Sequence, residues 1–296
     1  MSKRIGVDIG GSNLRVAVVD DLKVVDEYRC HADFSAICHT NPPDVAWQQI
    51  IAITVGALQK MLEQHPDVAS VGIGFPGFID PVRGTVLQSP NLPGLRDVDL
   101  AGDLARALQR PVVVENDANA AAYGEYKLHP QSAASLIFLG LGTGVGGGLV
   151  VDHKLITGTH GFAMEVGHLI VEPGGRLCGC GNHGCMEQYA SASGVSRSYE
   201  SATSQTLEAD AVARLVEQGD VHARAAFDLA GSALAQGVAM TSQQTPHALT
   251  APVDGAAQIG VKPQPQARFM LMGIADEGCH LTCVSSRCCK EGQATD

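Results

Sequence analysis

The sequence predicts an α/β protein with two similar halves. Apolar runs of strand length alternate with longer stretches of helical spacing, an order typical of a sheet covered by helices. Each half begins with a strand, a glycine-rich turn and a second strand, at residues 4–19 and 136–151. This repetition indicates a weak internal duplication. Two such turns facing each other would form a clamp for a polyphosphate, because both expose backbone N–H groups.

The individual elements follow from short local signals. Apolar β-branched runs on both sides of a glycine turn predict a hairpin. Pro43 suits the first turn of a helix, and apolar residues after it recur at helical spacing. Asp117 follows a buried strand and is predicted to cap the next helix. The predicted strands are 4–7, 14–19, 24–28, 68–75, 111–114, 136–141 and 146–151, and the predicted helices are 43–64, 97–108, 117–126, 207–216 and 222–238.

Composition narrows the class of protein. The chain has 296 residues, 45% of them hydrophobic and 17% charged, which is ordinary for a soluble enzyme with two compact domains. A net charge of −11 argues against a nucleic-acid partner. No apolar run approaches the roughly 20 residues of a membrane span, and the N-terminus starts a strand without a signal peptide. We expect a cytoplasmic protein with reduced thiols and no membrane contact.

A cysteine cluster is the most specific feature of the chain. Cys178, Cys180 and Cys185 stand in the stretch CGCGNHGC, and His168 lies a short way upstream. Three thiolates and one imidazole complete a tetrahedral zinc site and leave no position for water, so the predicted zinc is structural. The alternative is a set of buried or disulfide-paired cysteines, which the tight Cys-x-Cys spacing disfavours.

Both glycine turns are candidate phosphate sites. Asp8 ends a strand and is followed by bare backbone and a hydroxyl, which suits Mg²⁺ on the carboxylate and phosphate on the N–H groups. The alternative for each turn is an ordinary hairpin, since a glycine-rich loop alone is a weak signal. The candidate residues are Asp8, Gly10, Gly11, Ser12 and Asn13 in the first turn and Gly142, Thr143 and Gly144 in the second.

Several polar residues are candidates for proton transfer and for binding a polyol. Asp117 would lie at the carboxyl end of its strand, where it could accept a proton from an attacking hydroxyl as well as cap a helix. Glu165 and Glu187 flank the predicted zinc and could accept hydroxyl groups, although most Glu residues are simply surface charges. The amide of Asn91 could pair with a sugar hydroxyl or belong to an ordinary loop.

Taken together, these motifs resemble the ROK sugar kinases of the actin-like ATPase superfamily. The matching motifs are DIGGS, GFPG, ENDANAA, LGTGVGGG, EVGH and CGCGNHGCME, in the order of the family and over about residues 4 to 239. The resemblance implies a two-domain ribonuclease-H-like fold with its active site in the interdomain cleft. It also implies an N-terminal domain at 1–115, a C-terminal domain with the zinc loop at 116–239, and an atypical tail at 240–296.

The resemblance also implies an activity and a set of roles. The expected reaction is ATP-dependent phosphorylation of a hexose, most simply glucose, at its 6-hydroxyl, in a homodimer acting in carbohydrate metabolism. Asp117 would be the base, Asp8 and the two glycine turns would hold Mg²⁺ and ATP, and His168 would both ligate zinc and touch the sugar. The implied sugar contacts are Asn91, Asn116, Asp117, Glu165, His168 and Glu187.

The family pattern stops near Ala239. ROK kinases usually continue with a proline and a strand ending in Gly-Gly-Gly, which walls the adenosine pocket, and no such triplet follows here. Our hypotheses are a shifted reading frame, then a divergent tail, then a second zinc site among Cys279, Cys283, Cys288 and Cys289. We expect such a tail to leave the second domain's sheet uncompleted, to pack poorly, to weaken ATP binding more than glucose binding, and to leave kinase activity low or absent.

Two other function classes stay open. ROK repressors carry an N-terminal DNA-binding domain, for which the position of Asp8 leaves no room, and the acidic charge disfavours this class. A sugar-binding protein that has lost kinase activity through its tail would keep every sugar contact. Among kinases, N-acetylglucosamine, N-acetylmannosamine, allose and fructose are alternative substrates.

Overall fold

The computed structural model describes residues 2–128, 134–244, 267–275 and 278–283, with side chains through Thr241. Contacts divide the chain into two compact units. The first consists of Met1–Gly124 and Thr157–Ala163, and the second of Glu125–Ile156 and Met164–Asp296. The bounds 1–115, 116–239 and 240–296 follow motifs rather than contacts, and they stay a prediction.

The strands and helices agree in large part with the sequence patterns. The strands are β1 (Arg4–Ile9), β2 (Asn13–Asp20), β3 (Lys23–His31), β4 (Ser70–Phe75), β5 (Phe78–Ile79), β6 (Val86–Gln88), β7 (Arg96–Val98), β8 (Val112–Asn116), β9 (Ser135–Leu141), β10 (Val145–Val151), β11 (Lys154–Leu155), β12 (Ala267–Ala275) and β13 (Gly278–Cys283). The helices are α1 (Phe34–Thr40), α2 (Pro43–Gln64), α3 (Leu100–Leu108), α4 (Asp117–Leu128), α5 (Glu187–Ala190), α6 (Ala192–Thr203), α7 (Ala209–Glu217) and α8 (Val221–Gln244), with a 3₁₀ turn at Val166–His168.

The first unit is built on a five-stranded sheet in the order β3-β2-β1-β4-β8. The predicted hairpin is present, with β1 antiparallel to β2, while β1, β4 and β8 run parallel. Alternation along β2 buries Leu14, Val16 and Val18 and turns the residues between them outward. Because parallel strands end at one edge, Asp8 at the end of β1 and Asn116 at the end of β8 lie along the same side of the sheet.

The helices of the first unit supply the other side of its core. The predicted helix at 43–64 is confirmed, and it buries Ile50, Leu58 and Met61 among the strand residues. The predicted helix at 97–108 begins later, at Leu100, because the Asp99 carboxylate accepts the Gly102 N–H and caps it there. Asp97 belongs instead to β7, in a small three-stranded sheet of β5, β6 and β7.

The second unit has a sheet in the order β11-β10-β9-β12-β13. Strands β9 and β10 form the second predicted hairpin, and β12 runs parallel to β9 from the Ala267–Ser135 pair to the Gly273–Leu141 pair. The expectation that the tail leaves this sheet uncompleted is therefore wrong, because Ala267–Ala275 supplies the parallel strand. The expected poor packing of side chains after residue 241 lies outside the described residues, as do Cys288 and Cys289.

The helices of the second unit pack beside this sheet and each other. Helices α7 and α8 confirm the predicted helices at 207–216 and 222–238, with bounds shifted by a few residues. Helix α6 was not predicted. It begins where Ser191 accepts the Gly194 N–H, and it buries Val195 and Tyr199 against α7 and α8. In the part of the chain with described coordinates, no helix is both long and apolar enough to cross a membrane.

Candidate active site

The first glycine turn, residues 10–12, is held together by its own backbone. The Gly10 N–H donates to the Asn13 carbonyl at 2.9 Å, and the Ser35 N–H donates to the Gly11 carbonyl at 3.0 Å. A Cβ at Gly10 or Gly11 would meet its nearest neighbouring atom at 3.5 or 4.0 Å, which is ordinary contact. Packing within the unit therefore does not require either glycine. The exposed Ser12 and Asn13 stand beside this bare backbone, as a phosphate turn needs.

Helix α4 begins near Asp8 at the end of β1, and its cap differs from the predicted one. The Asn116 side-chain oxygen accepts the Asn119 N–H at 3.0 Å, so Asn116 is the capping residue and Asp117 is the first residue of the helix. The Asn116 amide nitrogen donates to the Gly77 carbonyl at 3.1 Å. Because a neighbour closes the helix, the Asp117 carboxylate is not required for capping, and it accepts the Ala118 N–H at 2.8 Å.

The Asp117 carboxyl has the electrostatics of a proton acceptor that works near neutral pH. The surrounding protein removes hydration, and with the nearby Asp8 carboxylate it raises the pKa of Asp117 to about 6, although the residue keeps exposed surface. Desolvation also raises the pKa of Asp8, partly offset by Arg15. A carboxyl tuned in this way is ionised at pH 7 and still basic enough to take a proton from a hydroxyl.

Asn91 is the remaining predicted site residue of the first unit. It is exposed in the loop between β6 and β7, next to the buried Leu92. Its predicted contact with a sugar stays a prediction.

In the second unit, the predicted zinc ligands converge. One ligand atom from each of His168, Cys178, Cys180 and Cys185 lies within 4.8 Å of all the others. Cys180 Sγ is 3.6 Å from Cys185 Sγ, and His168 Nδ1 is 3.6 Å from Cys178 Sγ. Sulfur atoms around a tetrahedral zinc are about 3.8 Å apart, so this donor set fits the ion. All three thiols are free, which disfavours the disulfide alternative.

Backbone geometry explains why these ligands meet. The Cys178 N–H donates to the Asn182 carbonyl, and the Gly181 N–H donates back to the Cys178 carbonyl, which closes a tight loop. Gly184 has φ of +80°, and a Cβ there would collide with the Glu172 carbonyl, so only glycine fits. Burial and the neighbouring thiols raise the pKa of Cys185 to about 12, a penalty that a bound cation would reverse by holding the thiolate.

Two glutamates connect the cluster to its surroundings. Glu165 Oε2 lies 3.9 Å from His168 Nε2, the ring nitrogen opposite the one that faces Cys178. This separation is longer than a hydrogen bond, so the Glu165 carboxylate is an electrostatic neighbour of the ring. Glu187 begins α5 directly after the cluster, and its Oε2 accepts the Val145 N–H at 3.1 Å. The residue therefore lies next to the second glycine turn, residues 142–144.

Arg176 has a supporting role that sequence patterns did not reveal. Its Nη1 donates to the Gln188 carbonyl at 2.8 Å and to Ser198 Oγ at 3.0 Å. Its guanidinium also stacks over the Tyr189 ring, with 4.8 Å to the ring centroid. The Arg176 guanidinium thus ties the loop that carries the cysteine cluster to α5 and α6. The only local signal is an arginine two residues before the first cysteine of the cluster.

The fold now defines the class of protein. Both units place an antiparallel hairpin beside a parallel strand, and the α/β architecture is that of the ribonuclease-H-like, actin-like ATPases, as predicted. The model of the ROK family matches residues 4–248, so the chain belongs to the ROK family. The predicted resemblance is confirmed. The match ends within the segment 240–296.

Similar proteins include several sugar kinases. The glucokinase of Streptomyces coelicolor is 38% identical over 192 residues, which are 64% of this chain and 57% of that protein. The N-acetylmannosamine kinase of Vibrio cholerae is 30% identical, over 69% of this chain and 67% of that protein. A ROK family glucokinase from Streptomyces griseus, solved with glucose and AMPPNP, has a TM-score of 0.69 and 34% identity, over 82% of this chain and 80% of that one. The matched region therefore spans less than two thirds of the S. coelicolor relative.

Proposed function

We propose that this chain is a hexose kinase that transfers the γ-phosphoryl group of ATP to the 6-hydroxyl of a hexose, with glucose as the first candidate. The observation that carries the proposal is Asp117. Its carboxylate has a pKa near 6, stands beside Asp8 at the edge of a parallel sheet, and is not needed to cap its helix. The glucokinase relative at 38% identity and the glucose complex of the S. griseus protein support glucose as substrate.

The proposed chemistry needs a base for the sugar hydroxyl and groups that stabilise the negative charge of the phosphates. Asp117 accepts the proton of the 6-hydroxyl while the hydroxyl oxygen attacks the γ-phosphorus of ATP. The bond between the γ-phosphorus and the oxygen that bridges to the β-phosphate breaks, and ADP is released. The backbone N–H groups of residues 11–13 and 143–144 are assigned to the phosphates, because those of Gly10 and Gly142 already donate to the Asn13 and Gly144 carbonyls. Asp8 is the residue that would hold Mg²⁺, which neutralises phosphate charge when bound.

The second unit supplies sugar recognition in this proposal. Glu165, His168 and Glu187 are assigned to the sugar hydroxyls, together with Asn91 and Asn116 of the first unit. The cysteine cluster keeps the segment from Glu165 to Glu187 in one conformation, with zinc as its structural ion. The convergence of the four ligand atoms supports this assignment. The cytoplasmic location and the homodimer stay predictions.

The choice among hexoses is the finer part of the proposal. The N-acetylmannosamine kinase of Vibrio cholerae covers slightly more of this chain than the glucokinase does, 69% against 64%, at lower identity. An N-acetyl group adds bulk, one N–H donor and one carbonyl acceptor at the second carbon of the sugar. Pocket shape there decides between the two substrates.

A panel of sugars with ATP tests the activity directly. Purified chain is assayed for ADP release with glucose, N-acetylmannosamine, N-acetylglucosamine, allose and fructose, and Asp117→Asn serves as the matched inactive control. We expect the highest kcat/KM with glucose. Turnover of none of these sugars, or equal turnover by the Asn variant, would contradict the proposal.

A second candidate function is a hexose-binding protein without kinase activity. It is favoured by the end of the family match at residue 248, before the segment expected to contact adenosine. Calorimetry with glucose and with a non-hydrolysable ATP analogue separates the two candidates. This candidate predicts that the chain binds glucose but not the ATP analogue. It also predicts that the chain binds the analogue once a family-like C-terminus replaces residues 249–296.

A further inference from the structure

The Glu187 carboxylate makes two close approaches to the second glycine turn. Its Oε2 accepts the Val145 N–H at 3.1 Å, immediately after the turn. A Cβ added at Gly144 would collide with the same oxygen and lie 3.3 Å from Glu187 Cδ, whereas a Cβ added at Gly142 would meet nothing within 4 Å. The Glu187 carboxylate can therefore occupy this position only because residue 144 has no side chain.

The other end of the turn is bound to the same part of the chain. The Ala192 N–H donates to the Gly142 carbonyl at 2.9 Å, and Ser191 Oγ donates to the Glu187 carbonyl at 2.7 Å. Both ends of the turn are therefore fixed to the segment that begins with Glu187 and leads into α6. A movement of this segment must move the turn.

We infer that Glu187 is a positioning residue that couples hexose binding to the conformation of the Gly142–Gly144 turn, an inference that rests on the proposed function. An ionised carboxylate has about four lone-pair sites, so it can accept the Val145 N–H and a sugar hydroxyl together. A bound hexose then holds Glu187 in the position that orders the phosphate turn. Coupling of this kind is reciprocal, so a nucleotide that orders the turn tightens hexose binding by the same factor.

Two alanine substitutions in the same turn test the inference. Gly144→Ala displaces the Glu187 carboxylate, and Gly142→Ala makes the same chemical change in open space, at a backbone conformation that alanine adopts in both cases. Glucose affinity is measured by calorimetry without nucleotide. We expect Gly144→Ala to weaken glucose binding about tenfold, the loss typical of one charged hydrogen bond, and Gly142→Ala to change it by less than about twofold.

The possible outcomes separate this inference from the proposed function. No glucose binding by the unaltered chain would overturn both. Glucose binding by the unaltered chain, with equal affinities for the two alanine variants, would overturn the coupling alone. Thermal denaturation of each variant shows whether it is folded.

A second measurement keeps the inference testable if Gly144→Ala does not fold. Amide hydrogen exchange at Val145 is followed in the full-length chain for Glu187→Ala and Glu187→Gln. The glutamine oxygen can still accept the Val145 N–H, so we expect exchange to accelerate at least about tenfold in the alanine variant and little in the glutamine variant. Equal exchange rates in the two variants would overturn the inference.

Discussion

The two units contain the same hairpin but use its glycines differently. In the first turn, Gly10 and Gly11 have room for a Cβ, so the protein itself does not require glycine there. In the second turn, Gly144 is required because the Glu187 carboxylate occupies the space that a side chain would take. The comparison shows that one turn leaves its bare backbone open, while the other holds a carboxylate against it.

The acidic residues near the two turns differ in the same way. Asp117 and Asp8 have raised pKa values because burial disfavours their charge, which suits a group that must take up a proton. Glu165 and Glu187 are instead engaged with His168 and with the Val145 N–H. In the proposed function, the first unit therefore supplies proton transfer, and the second supplies sugar recognition and support.

The largest expected effect comes from Asp117→Asn. The amide keeps the hydrogen bond from Ala118 but cannot take the proton, so turnover should fall about 100-fold or more with glucose affinity largely kept. Glu187→Gln is the matched change in the second unit and should weaken glucose binding more than turnover. Steady-state kinetics and calorimetry measure both variants. Similar losses of turnover in the two would break the comparison between the units.

Removal of zinc should have the next largest effect, on glucose recognition and on thermal stability. The ion can contribute on the order of 10 kcal/mol in a small fold, and less here because a large core already holds the chain. Chelation, or Cys178→Ser, should lower glucose affinity and thermal stability together. Elemental analysis of fresh protein should find about one zinc per chain. A metal-free protein with full glucose affinity would show that the cluster has no such role.

Gly11→Ala sharpens the comparison between the turns. A Cβ there meets nothing closer than 4.0 Å, so thermal stability should stay the same. If the open backbone receives phosphate, the added methyl group should weaken binding of a non-hydrolysable ATP analogue about tenfold without altering glucose affinity. Calorimetry with each ligand decides. Unchanged analogue affinity would show that the first turn is only a hairpin.

The smallest expected effects concern pH. Turnover should fall about tenfold per pH unit below pH 6, because the raised pKa of Asp117, about 6, leaves the base protonated there. Since this pKa is higher in the folded state than the ordinary value of 3.8, the stability linked to protonated Asp117 is present at low pH and lost as the pH rises through about 6. The Asp117→Asn variant should therefore melt about 2 °C higher than the unaltered protein at pH 7. Near pH 4 the two proteins should have the same melting temperature. Calorimetric scans at both pH values test this, and a constant difference would contradict it.

Local patterns predicted most of the fold and the convergence of His168 with the three cysteines. Hairpins and the helix at 43–64 depend on residues close in sequence, and so does the cysteine cluster, whose ligand types alone define a tetrahedral site. Strand β12 was missed although residues 267–275 read almost continuously apolar, as a strand in a parallel pair does. Its partner β9 lies more than a hundred residues earlier, and no local signal joins them.

The site was harder to predict where neighbours compete for one role. Asn116 and Asp117 are both good capping residues, so the sequence could not show that Asn116 closes α4 and leaves Asp117 at its first position. The partners of Arg176 are carbonyls and a hydroxyl on later helices, which exist only once the chain has folded. Tertiary contacts of this kind produce no periodic pattern in the sequence.

The Asn116 cap also has a consequence for repeated turnover. A catalytic base gains and loses a proton in every cycle, and a helix that depended on that carboxylate for its first hydrogen bonds would loosen each time. Here the Asn119 N–H is held by a neutral amide that does not titrate. If Asp117 is the base, as proposed, the start of α4 does not depend on its protonation state, and the Asn119 amide should keep its protection from hydrogen exchange on both sides of pH 6.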